Sequence, residues 1–202
     1  VSCDGAVYIA VGDKATREAG RSLATLKQHN PTLDTLVFDP PPHNDYSPVQ
    51  LSRCAKMTLL EWSPFDYTLY IDADTRVFQD VSAGFEILRD GWDAVIVPSS
   101  QQGDDFLWHI GDEDRTATIE ALHTEQFLQL QAGVFFVAHN ARTKHFFNVW
   151  YTEWQRYENQ DQGALLRALQ VAPLKIWLLG RLWNDNRRGK GAVIEHWFGR
   201  AR

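Results

Sequence analysis

Short apolar runs alternate along this chain with longer amphipathic stretches, a pattern that predicts an α/β fold. Ala6-Val-Tyr-Ile-Ala-Val11 reads as a buried first strand ending at Gly12. Residues 14–29 follow as a helix, with Ala19, Leu23 and Leu26 at helical spacing and Asn30-Pro31 as the stop. Thr35-Leu-Val-Phe38 predicts a second strand, and Asp39-Pro-Pro-Pro42 forces an extended loop after it. A helix is expected from about Pro48, a residue tolerated in a first turn, to Trp62. Tyr67–Ile71, Asp93–Val97 and Ala132–Val137 supply three more strands. Residues 141–157 predict a helix whose Phe146, Phe147, Trp150, Trp154 and Tyr157 gather on one side, most simply as core. A shorter helix near 161–170 leads to two late strands, Lys175–Leu179 and Ala192–His196.

The early connections are long enough for parallel crossovers, and ligands in such sheets gather at the C-terminal strand ends. Gly12, Asp72 and Asp74 all fall at such ends. The 202 residues suffice for one domain with a substantial core, and no repeat or low-complexity segment divides them. Twenty-five aromatic residues, eight of them Trp, argue against disorder. No apolar run approaches the roughly 20 residues that span a bilayer. The opening Val1-Ser-Cys-Asp-Gly5 lacks the basic-then-apolar pattern of a signal peptide, so neither a leader nor a transmembrane segment is expected. Cys3 and Cys54 form no metal-ligand spacing and no disulfide framework, which fits a reducing, cytoplasmic setting.

The formal net charge of -6 argues against a general nucleic-acid binder. It is unevenly spread. Residues 181–202 carry Arg181, Arg187, Arg188, Lys190, Arg200 and Arg202 against Asp185 and Glu195, a basic end on an acidic chain. Such an end is either a solvated tail or a segment that faces phosphate.

The chemistry concentrates in Leu69-Tyr-Ile-Asp-Ala-Asp-Thr75, where two carboxylates flank one small residue at a strand exit. Burial of unpaired carboxylates is costly, and a divalent cation with oxygen ligands relieves both that cost and their mutual repulsion. The alternative is a turn or helix cap in which Asp72 and Asp74 accept backbone N–H bonds. His196 alternates with Ile194 and Phe198 in the last strand. It reads either as a hydrogen-bonded core residue or as an imidazole completing a carboxylate site for Mn²⁺.

Tyr67-Thr-Leu-Tyr-Ile-Asp-Ala-Asp-Thr-Arg-Val77 resembles the metal-binding segment of GT-A glycosyltransferases, closest to the glycogenin-like and bacterial galactosyltransferase group of retaining enzymes. Further segments agree in order. Lys56 lies sixteen residues before Asp72, where that group has a basic residue near the donor. Gln131-Ala-Gly133 stands where the group has Asn-Ser-Gly, and Asp161-Gln162 resembles its Asp-Gln at a helix start. Leu182-Trp-Asn184 and His196-Trp-Phe-Gly199 resemble the late Asn and the closing His-x-x-Gly.

The resemblance implies a compact Rossmann-like mixed sheet flanked by helices. Residues of about 1–97 would form the nucleotide-binding half and those of about 98–202 the acceptor side. It implies Mn²⁺ or Mg²⁺ held by Asp72, Asp74 and His196, bridging the phosphates of a nucleotide-sugar donor, with UDP as the nucleotide. Asp72 and Ala73 would reach the ribose and Val11 and Gly12 the base. Lys56, Gly199 and Arg202 would face phosphate, while Gln131 and Gly133 would border the sugar. Asp161 and Gln162 would attend the anomeric carbon. The acceptor is left open between glycan, protein and small molecule. Gln131-Ala132 in place of Asn-Ser alters hydrogen bonding where the sugar is expected.

The acidic stretch containing Asp104, Asp105, Asp112, Glu113 and Asp114 reads as a solvated acceptor-side loop, with a second cation site as the alternative. Its Phe106, Leu107 and Trp108 either stack on an acceptor sugar or anchor the loop. Lys56 has the alternative of a solvated helix lysine, and Asp161 that of a helix start near the positive dipole end. Two rival functions remain. A haloacid dehalogenase-type phosphatase also places Asp-x-Asp after a strand, but on the first strand and with Thr or Val where this chain has Arg76. A non-catalytic nucleotide-sugar binder would use the same metal site.

Overall fold

Strand β1 (Asp4–Ile9) is buried because its alternate side chains enter two different cores. Ala6 and Tyr8 join one cluster with Leu26 and Phe85, whereas Val7 and Ile9 join another with Met57, Trp150 and Leu165. Period-two alternation in an all-apolar strand therefore demands helices on both faces of its sheet. The computed structural model, which describes residues 3–99, 107–186 and 191–198, shows that arrangement.

Helix α1 (Gly12–His29) returns the chain to β2 (Asp34–Phe38), and α2 (Pro48–Met57) with the single turn α3 (Leu59–Trp62) leads to β3 (Tyr67–Ile71). There follow β4 (Thr75–Val77), α4 (Ser82–Arg89), β5 (Ala94–Pro98), α5 (Asp112–Leu122) and β6 (Leu130–Ala138). The chain closes with α6 (Ala141–Gln155), α7 (Asp161–Val171), β7 (Ile176–Leu178), a 3-10 turn at Arg181–Asn184 and β8 (Ile194–His196). The main sheet has the order β2-β1-β3-β6-β5-β7, with β6 antiparallel to both its neighbours and the other pairings parallel. Helices α2, α3, α6 and α7 pack on one face, and α1 and α4 on the other. The expected mixed sheet between helices is therefore present. No helix among the described residues is long and apolar enough to cross a membrane. Cys3 and Cys54 are free thiols.

Four local results differ from the sequence pattern. The helix expected to run from 48 to 62 breaks at Thr58, whose hydroxyl donates to the Cys54 and Ala55 carbonyls. Such bonds to the preceding turn compete with the helical ladder. The last strand leaves the main sheet, and β8 instead pairs with β4, which places His196 opposite Thr75. The acidic stretch is in part a helix, because Asp112–Leu122 forms α5. Finally, Tyr157 lies beyond the end of α6 and is half-buried, while Phe146, Phe147, Trp150 and Trp154 are core as expected.

Asn30 shows how the α1 stop was chosen. Its side-chain amide donates to the Leu26 and Gln79 carbonyls, and its oxygen accepts from the Val81 backbone N–H. One buried side chain thus ends α1 and holds the segment entering α4. Asn30→Ala should lower unfolding stability by roughly 2 kcal/mol, since it strands the Val81 N–H and removes the side-chain donor to the Gln79 carbonyl, while the Leu26 carbonyl keeps the Asn30 backbone N–H. Urea unfolding at neutral pH checks this, and a change below about 0.5 kcal/mol would contradict it.

Candidate functional site

The β3–β6 ladder continues one residue past Ile71, because the Asp72 N–H donates to the Gly133 carbonyl at 2.8 Å. The chain then turns sharply. Thr75 Oγ1 lies 2.9 Å from the Asp72 carbonyl and 2.7 Å from Ser22 Oγ, tying the Asp72–Thr75 turn to α1. Tyr70, two residues before Asp72 and so on the same side of the strand, donates its hydroxyl to Asp72 Oδ1 at 2.6 Å. Burial and the adjacent Asp72 charge keep that phenol protonated well above its ordinary range.

His196 reaches the same point from the small ribbon. Its Nε2 lies 3.1 Å from Asp74 Oδ1 and 3.6 Å from Asp72 Oδ2. Its Nδ1 lies 2.9 Å from Asn184 Oδ1. An amide oxygen only accepts, so Nδ1 carries a proton, and Nε2 faces the two carboxylates, where it serves as a proton donor or, unprotonated, as a ligand atom. Two carboxylates and an unprotonated Nε2 repel one another, and either a proton on Nε2 or a metal cation among the three relieves this. The three side chains each offer a ligand atom within 4.8 Å of the others. Gly133 keeps that space open, because a Cβ there would stand 2.3 Å from His196 Cε1 and 2.7 Å from Asp72 Oδ2. Two carboxylates and one imidazole, with the imidazole oriented by an outer amide, suit Mn²⁺ or Mg²⁺, the nitrogen favouring Mn²⁺.

Lys56 joins this group from α2. Its Nζ lies 2.8 Å from Asp161 Oδ2 and 3.4 Å from Asp72 Oδ1, and it is buried rather than solvated. Burial opposes its charge, but Asp161 and Asp72 more than offset this and raise its affinity for the proton. Burial likewise opposes ionisation of Asp161, and the Lys56 charge and hydrogen bond overcome it and hold the carboxyl below its usual range. Asp161 begins α7 as expected, with the Trp150 indole N–H on its backbone carbonyl at 3.0 Å. Gln162 Nε2 donates to the Leu130 carbonyl at 2.9 Å, and Gln162 Oε1 faces His109 Nε2.

These residues line a cavity of about 740 Å³ that includes Asp72, Asp74, Gln131, Gly133, Asp161, Gln162 and His196. A smaller adjoining cavity of about 330 Å³ is lined by Val11, Lys56, Asp72 and Asp161, among others. Gly12 opens α1 with φ of +81°, a backbone state that favours glycine, and Ala73 packs against the core beneath the turn. Gln131 donates to Ser99 Oγ at 3.1 Å. The β5–β6 register shifts between Ile96 and Val97, which face Phe135 and Gln131 respectively. That irregularity frees Ala132–Val134 from β5 and brings Gly133 beside Asp72.

Gly199 and Arg202 lie outside the described residues, as do Asp104, Asp105, Phe106, Arg187, Arg188, Lys190 and Arg200. Arg181 pairs with Asp185 at 2.6 Å. The second-cation and solvated-loop readings of the acidic stretch both fail at Asp114, which is buried and paired with Arg167 at 2.6 Å.

No protein-family model matches the chain, and no curated protein matches it by sequence. Solved structures do match. The bifunctional glycosyltransferase WbbM aligns with a TM-score of 0.70 at 14% identity, covering 100% of this chain and 46% of that one. An active-site mutant of LgtC aligns at 0.65 and 13% identity over 97% and 87% of the two chains. Mouse xyloside xylosyltransferase 1 gives 0.62 and 10% identity over 98% and 99%. The chain has the GT-A fold. At these identities the likeness is one of fold.

Within this GT-A chain, some cavity residues carried no signal in the sequence. Arg53 bonds the Asn159 carbonyl at 2.8 Å and Gln160 Oε1 at 2.6 Å, clamping α2 to the α7 entry. Its only sequence cue was a position one helical turn before Lys56. His109 had none, Phe198 was legible only inside the closing His-x-x-Gly segment, and Tyr70, the support of Asp72, only as its i−2 neighbour.

Proposed function

We propose that this protein is a metal-dependent glycosyltransferase that moves a sugar from a UDP-sugar to a hydroxyl acceptor with retention. The observation that carries this is the convergence of Asp72, Asp74 and His196, from two separate sheets, at the floor of one large cavity in a GT-A fold. A divalent metal bound there supplies charge neutralisation for the departing diphosphate. The chain's own residues do the rest. Tyr70 and Asn184 fix the directions of Asp72 and His196. Lys56 holds Asp161 and Asp72 in a buried, preorganised array, so their field needs no rearrangement during reaction. Val11 borders the cavity suited to the base and ribose, with Gly12 next to it in sequence and Ala73 within the Asp72–Thr75 turn.

Gln162, bonded at both ends of its amide, presents a fixed dipole toward the anomeric centre, next to the Asp161 carboxylate. Gln131 and Gly133 border the sugar, and Gly199 and Arg202, outside the described residues, are assigned to the phosphates by the family resemblance alone. In a retaining transfer the acceptor approaches on the face the diphosphate leaves, so a departing phosphate oxygen can take its proton.

The test is release of UDP from a panel of UDP-sugars with Mn²⁺, together with the UDP-induced rise in melting temperature. Asp74→Ala should cut UDP release about 10²-fold or more and abolish the Mn²⁺-dependent thermal shift. UDP binding without turnover of any donor would favour a nucleotide-sugar binder, and release of inorganic phosphate would favour a phosphatase.

A further inference from the structure

Thr75 is the point at which the three members of the metal group meet. It follows Asp74 directly in the chain, its Oγ1 lies 2.9 Å from the Asp72 carbonyl, and in the β4–β8 ladder it stands opposite His196. Thr75 is fully buried, so it acts on a bound metal only through these neighbours.

The direction of its hydrogen bonds follows from counting protons. A carbonyl only accepts, so the Thr75 hydroxyl donates to Asp72. Its oxygen keeps lone pairs for Ser22, whose hydroxyl then donates to Thr75 Oγ1 at 2.7 Å. The Tyr8 hydroxyl, 3.2 Å from Ser22 Oγ, is the longer of the two hydroxyl contacts that Ser22 makes. A hydroxyl that accepts a bond donates more strongly, so Ser22 reinforces the grip of Thr75 on the turn.

Ser22 lies on a helix face that is otherwise apolar where it meets the sheet. Ala19 and Leu26 enter the core there with Tyr8 and Phe85. Packing alone would accept alanine at position 22, and a buried hydroxyl costs free energy unless it is bonded. Glu18, Ser22 and Thr25, at i, i+4 and i+7 along α1, all bond residues 75–77. Glu18 Oε2 pairs with Arg76 Nη2 at 2.8 Å, and Thr25 Oγ1 accepts from the Val77 N–H at 2.9 Å. Arg76 also donates to the Thr75 carbonyl at 2.6 Å and lies over the Trp197 ring. The Trp197 N–H donates to the Asp74 carbonyl at 3.1 Å. A polar seam on α1 thus reaches the carbonyls of both aspartates.

We propose that Ser22 and Thr75 are positioning residues of the metal site. Their paired hydroxyls fix the turn that spaces the Asp72 and Asp74 carboxylates against His196. This role rests on the metal reading of those three side chains and adds two residues that touch neither metal nor substrate.

Mn²⁺ affinity is measured by calorimetry with and without UDP, and thermal unfolding without metal reports the fold separately. Thr75→Val, which removes only the hydroxyl function, should weaken Mn²⁺ about tenfold or more. Ser22→Ala should weaken it about three- to fivefold. Thr75→Ser, which keeps the hydroxyl, should stay within about twofold of wild type, and so should Thr25→Val, whose bond reaches Val77 rather than the turn. In the double variant the losses should not add, because without the Thr75 hydroxyl Ser22 no longer reaches Asp72. Wild-type affinity in Ser22→Ala and Thr75→Val, additive losses, or an equal loss in Thr25→Val would reduce the seam to a stabilising contact and overturn the positioning role alone. If Thr75→Val does not fold, Ser22→Ala against Thr25→Val decides by the same criterion. Failure of wild type to bind Mn²⁺ in either condition, or unchanged binding in Asp74→Ala, overturns the metal reading and the positioning role with it.

Discussion

Gly133→Ala should abolish metal binding while leaving the fold in place. The added Cβ would stand 2.3 Å from His196 Cε1, 2.7 Å from Asp72 Oδ2 and 2.9 Å from His196 Nδ1. None of these atoms can retreat cheaply. His196 is held by Asn184 at Nδ1 and by its own N–H on the Asp185 carbonyl at 2.9 Å. Asp72 is held by Tyr70 and by the Gly133 carbonyl itself. Displacing the imidazole removes one ligand and disorders a second, so Mn²⁺ affinity should fall about 10²-fold or more. The overpacking itself should cost about 1–3 kcal/mol of stability.

Gly20→Ala is the matched control, because nothing lies within 4 Å of a Cβ at that exposed helical position. It should stabilise the chain by roughly 0.5–1 kcal/mol. Titration calorimetry with Mn²⁺ and urea unfolding on both variants separate the effects. Wild-type Mn²⁺ affinity in Gly133→Ala would remove Asp72 and His196 as shared ligands.

Much of this was legible before any coordinates. The strands β1, β3, β5 and β6 announced themselves because burial on both faces requires nearly unbroken apolar runs, as in Ala6–Val11 and Ala132–Val137. Asp72 and Asp74 stood out because carboxylates ending such a run need compensation. What the sequence concealed follows from two physical causes. Short elements such as β4 and β8 hold three residues each, too few for the pattern to show that they pair, so only the family resemblance set His196 beside Asp74. Helix α5 has the reverse of the usual pattern, because the residues it buries are Asp114, Thr118 and Leu122. Its contact with α7 combines the Asp114–Arg167 pair with the packing of Leu122 on Leu166, and hydrophobic periodicity cannot report the polar half of such an interface.

Loss of Arg167 from that interface should be the most destabilising of the substitutions considered. Its Nη1 lies 2.6 Å from Asp114 Oδ1 and its Nε 2.8 Å from Glu153 Oε2, and the Arg167 and Asp114 side chains are each 3% exposed. Gly163 lets α5 approach this closely, since a Cβ there would sit 2.8 Å from Asp114 Oδ1. Arg167→Met leaves a buried carboxylate without its cation and should cost about 3–5 kcal/mol. The pair is nevertheless no net asset. Burial pushes the Asp114 carboxyl up, and the hydrogen bond and charge of Arg167 only partly pull it back, so its proton affinity remains above the ordinary value.

The double variant Arg167→Met with Asp114→Leu should therefore recover most of the loss, because neither ion then needs to be desolvated. The pH dependence has a definite sign. In Arg167→Met the folded-state pKa of Asp114 rises further above its unfolded value. The stability gained by keeping that carboxyl protonated is present below the unfolded pKa and lost as pH climbs through the folded one. The penalty of Arg167→Met should thus grow with pH from about 4 upward, and the double variant should not show this slope. Urea unfolding of all three proteins between pH 4 and 7.5 measures it. A flat penalty across that range would mean that Asp114 finds another partner once Arg167 is gone.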